Sequence, residues 1–144
     1  VKKIFIKMVN CVKECHNLNV IHGDIKLENF LIKNDNNFIL IDFGMSIISK
    51  EKSVYVTNNK GTPLYNSPEY NAGIISFKSD IWSLGIVLYL LLHGYLPHDK
   101  ENYSINYKFN IPLQVRHIIN NMLIINYKFR YSIDDILNHQ WINS

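Results

Sequence analysis

The strongest constraint on this chain is a pair of short apolar runs joined by a polar turn. Residues 30–32 (FLI) and 38–41 (FILI) flank Asn34-Asp35-Asn36-Asn37. Asn and Asp side chains bond their own backbone and favour turns, so the pair predicts a hairpin. Polar groups crowd the hairpin's open end. Upstream, residues 21–32 read IHGDIKLENFLI and follow a strand-like Val20. Asp24, Lys26 and Asn29 are thereby pinned on a short loop between two segments expected to be buried. Downstream, Asp42, Phe43 and Gly44 follow at once. The hairpin is expected to bring Asp42 back beside Asn29. Loops held by rigid elements are where chemistry concentrates. An Asp can take the proton of an attacking hydroxyl, and a Lys can balance charge on a transferring phosphoryl group. Asn and Asp offer oxygen ligands to Mg²⁺. The competing reading of the loop alone is a polar surface turn.

His22-Gly23-Asp24 with Lys26 and Asn29, followed by Asp42-Phe43-Gly44, resembles the catalytic loop and metal-binding triplet of the eukaryotic protein kinase family. The resemblance continues in order. Residues 61–69 (GTPLYNSPE) resemble the end of the activation segment, and 80–85 (DIWSLG) the start of the long central helix. Arg130 stands where the family keeps the partner of the Glu in Pro-Glu, here Glu69. The resemblance implies a mainly α (α+β) C-terminal lobe, with a small β-hairpin carrying the catalytic and metal-binding loops. It implies transfer of the γ-phosphoryl of ATP, with Mg²⁺, to Ser or Thr of a protein substrate. Asp24 would be the base, with Lys26 and Thr62 beside it; Asn29 and Asp42 would hold the metal. Leu31 would floor the adenine pocket. His22, Phe43, Gly44, Glu69, Asp80 and Arg130 would support the site, with His22 against Phe43 and Asp80 accepting from the loop backbone. Lys26 and Thr62 together point to the Ser/Thr type. A non-catalytic pseudokinase or interaction module is the alternative.

Several positions depart from the family pattern. Leu27, His98 and Gln140 replace a common Pro, Phe and Pro. Gly23 stands where most members have an Arg that pairs with a phosphate on the activation loop. Without a side chain that coupling is lost, although Lys50, Lys52 or Lys60 offers a local substitute. Residues 45–60 are polar and without sustained period, as an activation loop is. They carry Ser46, Ser49, Ser53, Tyr55 and Thr57 as candidate phosphoacceptors.

Composition narrows the remaining classes. At 144 residues and 47% hydrophobic content, the chain suits one core. A net charge of +3 is spread along the sequence, which argues against a nucleic-acid groove. The apolar run at 81–92 is too short to span a bilayer, which takes about 20 residues. It reads as a helix buried on all sides, running from Asp80 to about His93 and stopped by Gly94 and Pro97. Cys11 and Cys15 are expected to be free, buried thiols in an intracellular, cytoplasmic setting.

Apolar residues at Ile4, Met8, Cys11, Cys15 and Leu18 predict an opening helix over 1–18. Further helices are expected over 115–125 and 133–141, with a trimmed helix within 98–110. The six glycines contain no Gly-x-Gly pair, and only 21 residues precede His22. The expectation is a single domain, 1–144, that is a large-lobe fragment. Its partner would be an N-terminal lobe supplying the phosphate clamp, and alone the fragment would be inactive.

Overall fold

The computed structural model describes residues 1–56, 61–97 and 103–144. The core forms around the apolar run near the middle of the sequence. This is α3 (Phe77–His93), in which Ile81, Trp82, Leu84 and residues 86–89 are all buried. Each such side chain removed from water contributes about 1.5–3 kcal/mol. The helix starts three residues earlier than Asp80. Ser76 and Ser79 form a capping box, each side chain meeting the other's backbone, so the first turn is satisfied from Phe77 on. It ends at Gly94, whose backbone is left-handed.

Helix α1 (Lys2–Asn17) packs on α3, but on a different stripe from the one expected. Phe5, Met8, Val9 and Val12 are buried, whereas Ile4 and Leu18 are exposed. Positions 5, 8, 9 and 12 make the wider i, i+3, i+4, i+7 stripe that a globular helix presents. Cys11 and Cys15 are free but only half-buried. Burial still pushes the Cys15 thiol up to about 11.

Among the described residues there are three two-stranded antiparallel pairs, where a single hairpin was expected. β2 (Phe30–Ile32) and β3 (Phe38–Leu40) form the predicted hairpin, in register Phe30 to Leu40. Its first strand is not a buried segment: Phe30 is buried, while Leu31 and Ile32 are exposed. β1 (Val20–Ile21) pairs with β4 (Ile47–Ile48), and β5 (Ser53–Tyr55) with β6 (Ile74–Ser76). The segment expected to lack regular structure is therefore pinned twice. Strands of two or three residues are too short to print a period on the sequence.

Downstream, α2 (Pro68–Asn71) is capped by Ser67. α4 (Leu113–Met122) starts and stops two to three residues earlier than expected. Its close packing on α3 uses Gly85, where a Cβ would lie 2.8 Å from Leu123 Cδ2. The helix expected over 133–141 is two: α5 (Ile133–Leu137) and α6 (Gln140–Asn143). The break is chemical. Ser132 and Asp135 cap the first, while His139 leaves the helix and accepts from the Trp141 N–H to cap the second. No helix occurs in 103–110, and residues 98–102, with His98, lie outside the described residues. No helix among the described residues is long and apolar enough to cross a membrane.

Candidate active site

The site begins with a buried carboxylate. Asp80 sits in the first turn of α3 and is almost fully buried. Its Oδ2 accepts from the His22 N–H and its Oδ1 from the Gly23 N–H, both at 2.9 Å, and His16 Nε2 lies 2.8 Å from Oδ2. One side chain therefore orients two successive peptide groups of the loop. Gly23 takes the left-handed conformation (φ +77°) this requires. A Cβ there would lie 2.8 Å from the Met45 carbonyl oxygen.

His22 ties the loop to the hairpin. Its Nδ1 accepts from the Asp24 N–H at 3.2 Å, so Nε2 carries the proton and donates to the Ile41 carbonyl at 2.9 Å. Phe43 meets the same ring edge-on, with centroids 4.8 Å apart. The residues before and after Asp42 are thus both held by His22.

Asp24 is 8% exposed. Its Oδ1 accepts from the Thr62 hydroxyl at 2.7 Å, and its Oδ2 lies 2.9 Å from Lys26 Nζ. Lys26 Nζ also donates to Thr62 Oγ1 at 2.8 Å, closing a triangle. Burial pushes the Asp24 carboxyl up. The hydrogen bonds from Thr62 and Lys26, the Lys26 charge and Asn29 outweigh it and hold the carboxyl below the usual range.

Asn29 ends the 3₁₀ turn Leu27–Asn29, and its amide donates to the Asp24 carbonyl at 2.7 Å. The Asn29 N–H₂ is committed there, and no described residue hydrogen-bonds its side-chain oxygen. The Ile41 N–H donates to the Asn29 carbonyl at 2.9 Å, which aligns the ends of β2 and β3. Asp42 follows with φ +61°, an uncommon conformation for a side-chain-bearing residue. Its carboxylate is exposed, and Oδ1 accepts from the Gly44 N–H at 3.3 Å. Among the described residues no cluster of three or more His, Cys, Asp or Glu could hold a metal ion. Asp42 offers a carboxylate and Asn29 a neutral oxygen, donor types that suit Mg²⁺, which keeps waters and phosphate oxygens in its shell. Leu31 is half-exposed on the hairpin.

Glu69 and Arg130 meet in a buried fork, at 2.7 and 2.9 Å. Arg130 also donates to the carbonyls of Ile124, Lys78 and Ile125 and lies over the Trp82 ring. Ser79 donates to Glu69 Oε1 at 3.1 Å.

Hydrogen bonds and a ring contact join His22, Asp24, Lys26, Asn29, Phe43, Thr62 and Asp80, while Glu69 and Arg130 pair with each other; Thr57, Lys60 and His98 lie outside the described residues. Two partners carried no sequence signal: the Ile41 carbonyl under His22, and Ser79 on Glu69. A backbone carbonyl and a serine occur in any helix or strand.

Known proteins resemble the chain in sequence. The chain is 38% identical to a probable serine/threonine-protein kinase of Dictyostelium discoideum over 99% of its length. It is 34% identical to CBL-interacting serine/threonine-protein kinase 13 of Arabidopsis thaliana over 97%, and 35% identical to human NUAK family SNF1-like kinase 1 over 99%. It spans 10%, 31% and 23% of those proteins. Residues 1–142 match the family described as protein kinase domain. The chain belongs to the protein kinase domain family and is related to its serine/threonine kinases.

Proposed function

We propose that these residues form the catalytic-loop-bearing, C-terminal lobe of a serine/threonine kinase, whose full-length form transfers the γ-phosphoryl of ATP to a Ser or Thr hydroxyl of a protein. The observation that carries the reading is the Asp24–Lys26–Thr62 triangle. Asp24 is ionised at neutral pH, oriented through both oxygens, and 8% exposed. It receives the proton of the attacking hydroxyl. A carboxylate held below its usual pKa is a weak base, and phosphoryl transfer through a loose transition state asks mainly for position and charge. Lys26 neutralises charge on the transferring group. Thr62 aims Asp24, and Asp80 fixes the loop beneath it.

Asn29 and Asp42 would hold Mg²⁺, which supplies charge neutralisation on the nucleotide phosphates when bound. Leu31 and Phe43 offer apolar surface at the hairpin for the adenine. The sequence contains no Gly-x-Gly, so a second lobe of the longer protein would provide the phosphate clamp. That protein would act inside the cell, where ATP is present.

The test is phosphotransfer from Mg-ATP to Ser/Thr peptides by the full-length protein. Asp24→Asn is expected to lower the rate ~10²–10⁴-fold. Asp24 is ionised above the ordinary carboxylate range near ~3.9, so its acid limb lies below that and not between pH 5 and 8. Parental activity in the variant would remove Asp24 from the role.

A further inference from the structure

A cavity of about 760 Å³ opens between α4, α5 and α6, and its lining includes no catalytic-loop residue. Two histidines meet on its wall. His117 Nδ1, on α4, lies 2.9 Å from His139 Nε2, just ahead of α6, and the two rings stack at 18°. Their other contacts decide where the protons are. His139 Nδ1 accepts from the Trp141 N–H at 3.1 Å, so it carries no proton. A neutral imidazole keeps one proton, which therefore sits on Nε2 and is donated to His117 Nδ1. His139 thus has one allowed tautomer, with both nitrogens in use.

This arrangement has no place for a second proton. An imidazolium carries N–H on both nitrogens, so Nδ1–H would point at the Trp141 N–H and the cap of α6 would be lost. Turning the ring over loses the same contact. His117 differs: it is exposed, and its ring can turn to water when it takes a proton. The other ionisable side chains on the cavity wall are Arg116 of α4, Tyr131, and Asp135 of α5. Arg116 donates to the Ile111 carbonyl and lies over the Tyr107 ring. Tyr131 presents its ring to His139, with centroids 6.2 Å apart. Asp135 Oδ2 accepts from the Ser132 N–H and hydroxyl, both at 2.7 Å. From α1, Lys2 reaches Ser144 at the far end of α6. None of these groups offers a charged His139 an anionic partner. Burial and the neighbouring His117 accordingly hold the His139 ring below its usual value.

Helix α6 is a single turn, too short to persist without its cap and its packing. Its anchor is Trp141, which meets Phe5 of α1 with ring centroids 6.2 Å apart. We propose that His139 is a proton-operated latch: protonation in mild acid removes the cap of α6 and loosens Trp141 from Phe5. The unfolded chain takes this proton more readily than the folded one. The latch therefore contributes fully above the unfolded histidine value near ~6.5 and is lost as pH falls through the lower folded value.

The experiment titrates the full-length protein from pH 8 to pH 5. With ¹⁵N in histidine rings and tryptophan amides, NMR should find His139 as the Nε2–H tautomer at pH 8. The Trp141 amide, assigned with Trp141→Phe, should shift with the same midpoint as the His139 ring. Hydrogen exchange of residues 138–144, corrected for its intrinsic pH dependence, should quicken about fivefold or more, the scale of a lost helix cap. His139→Asn supplies a cap that takes no proton, so α6 should stay docked and the acid response should vanish. A Trp141 amide that holds its position while His139 titrates would overturn the proposal, as would an equal acid response in His139→Asn. The exchange measurement uses wild type alone, and unchanged protection down to pH 5 would also refute the latch. None of these readouts involves phosphotransfer, so the inference stands or falls apart from the proposed function.

Discussion

Glu69→Gln is the sharpest perturbation this fold offers. The two side chains are nearly isosteric, so packing is unchanged and only charge and one acceptor are lost. Arg130 would then face an amide N–H₂ where a carboxylate oxygen stood, with its guanidinium fully buried. Its three carbonyl acceptors are neutral and do not replace the lost charge. Breaking one side of a buried pair costs about 3–5 kcal/mol. For a domain of this size that corresponds to a fall in Tm on the order of 10 °C. The pH dependence adds an independent check. Burial raises the Glu69 carboxyl, but Arg130 and Ser67 hold it below its usual value when folded. Its contribution is therefore complete above the unfolded value near ~4.3 and fades as pH falls through the lower folded value. The assay is thermal unfolding of full-length wild type and variant from pH 7 down to pH 3. The gap should be large at pH 7 and narrow below ~4. A Tm within 2 °C of wild type at pH 7, on the scale of ~1 kcal/mol or less, would refute the reasoning.

Three further outcomes are expected. Asp42→Asn in the full-length protein should abolish Mg²⁺-dependent nucleotide turnover, and unchanged metal dependence would remove Asp42 and Asn29 from that site. Gly23→Ala should destabilise by about 1–3 kcal/mol, because the position has φ +77° and a Cβ would press on the Met45 carbonyl oxygen; an unshifted melting curve would show that the loop relaxes freely. Replacing Ser46, Ser49, Ser53 and Thr57 by Ala and Tyr55 by Phe together should leave activity within tenfold, since Gly23 offers the loop phosphates no partner. A larger loss with the fold intact would show that these hydroxyls govern catalysis.

The polar loop, the turn and the Asp42-Phe43-Gly44 triplet were legible because their signals are local. Asn34-Asp35-Asn36-Asn37 must turn, and Phe30 and Leu40 then face each other across the hairpin. The continuous apolar run at 81–92 left a buried helix as the only outlet. Asp80, Thr62, Glu69 and Arg130 were found through the family resemblance, and the structure shows the contacts that join them.

What the tertiary structure alone decided concerns weak local preferences. The face α1 buries was settled by the shape of α3 and β3 against it, since residues 4–12 offer two overlapping apolar stripes. The 45–56 segment became β4 and β5 because β1 and β6 present unpaired edges to it. The helix over 133–141 broke because His139 caps a new turn more favourably than it continues the old one. Gly23 is the clearest case. Its identity says only that a side chain is absent, whereas its left-handed backbone and the nearby Met45 carbonyl supply the reason. The loop can offer two N–H groups to Asp80 only in a conformation that leaves no room for a Cβ.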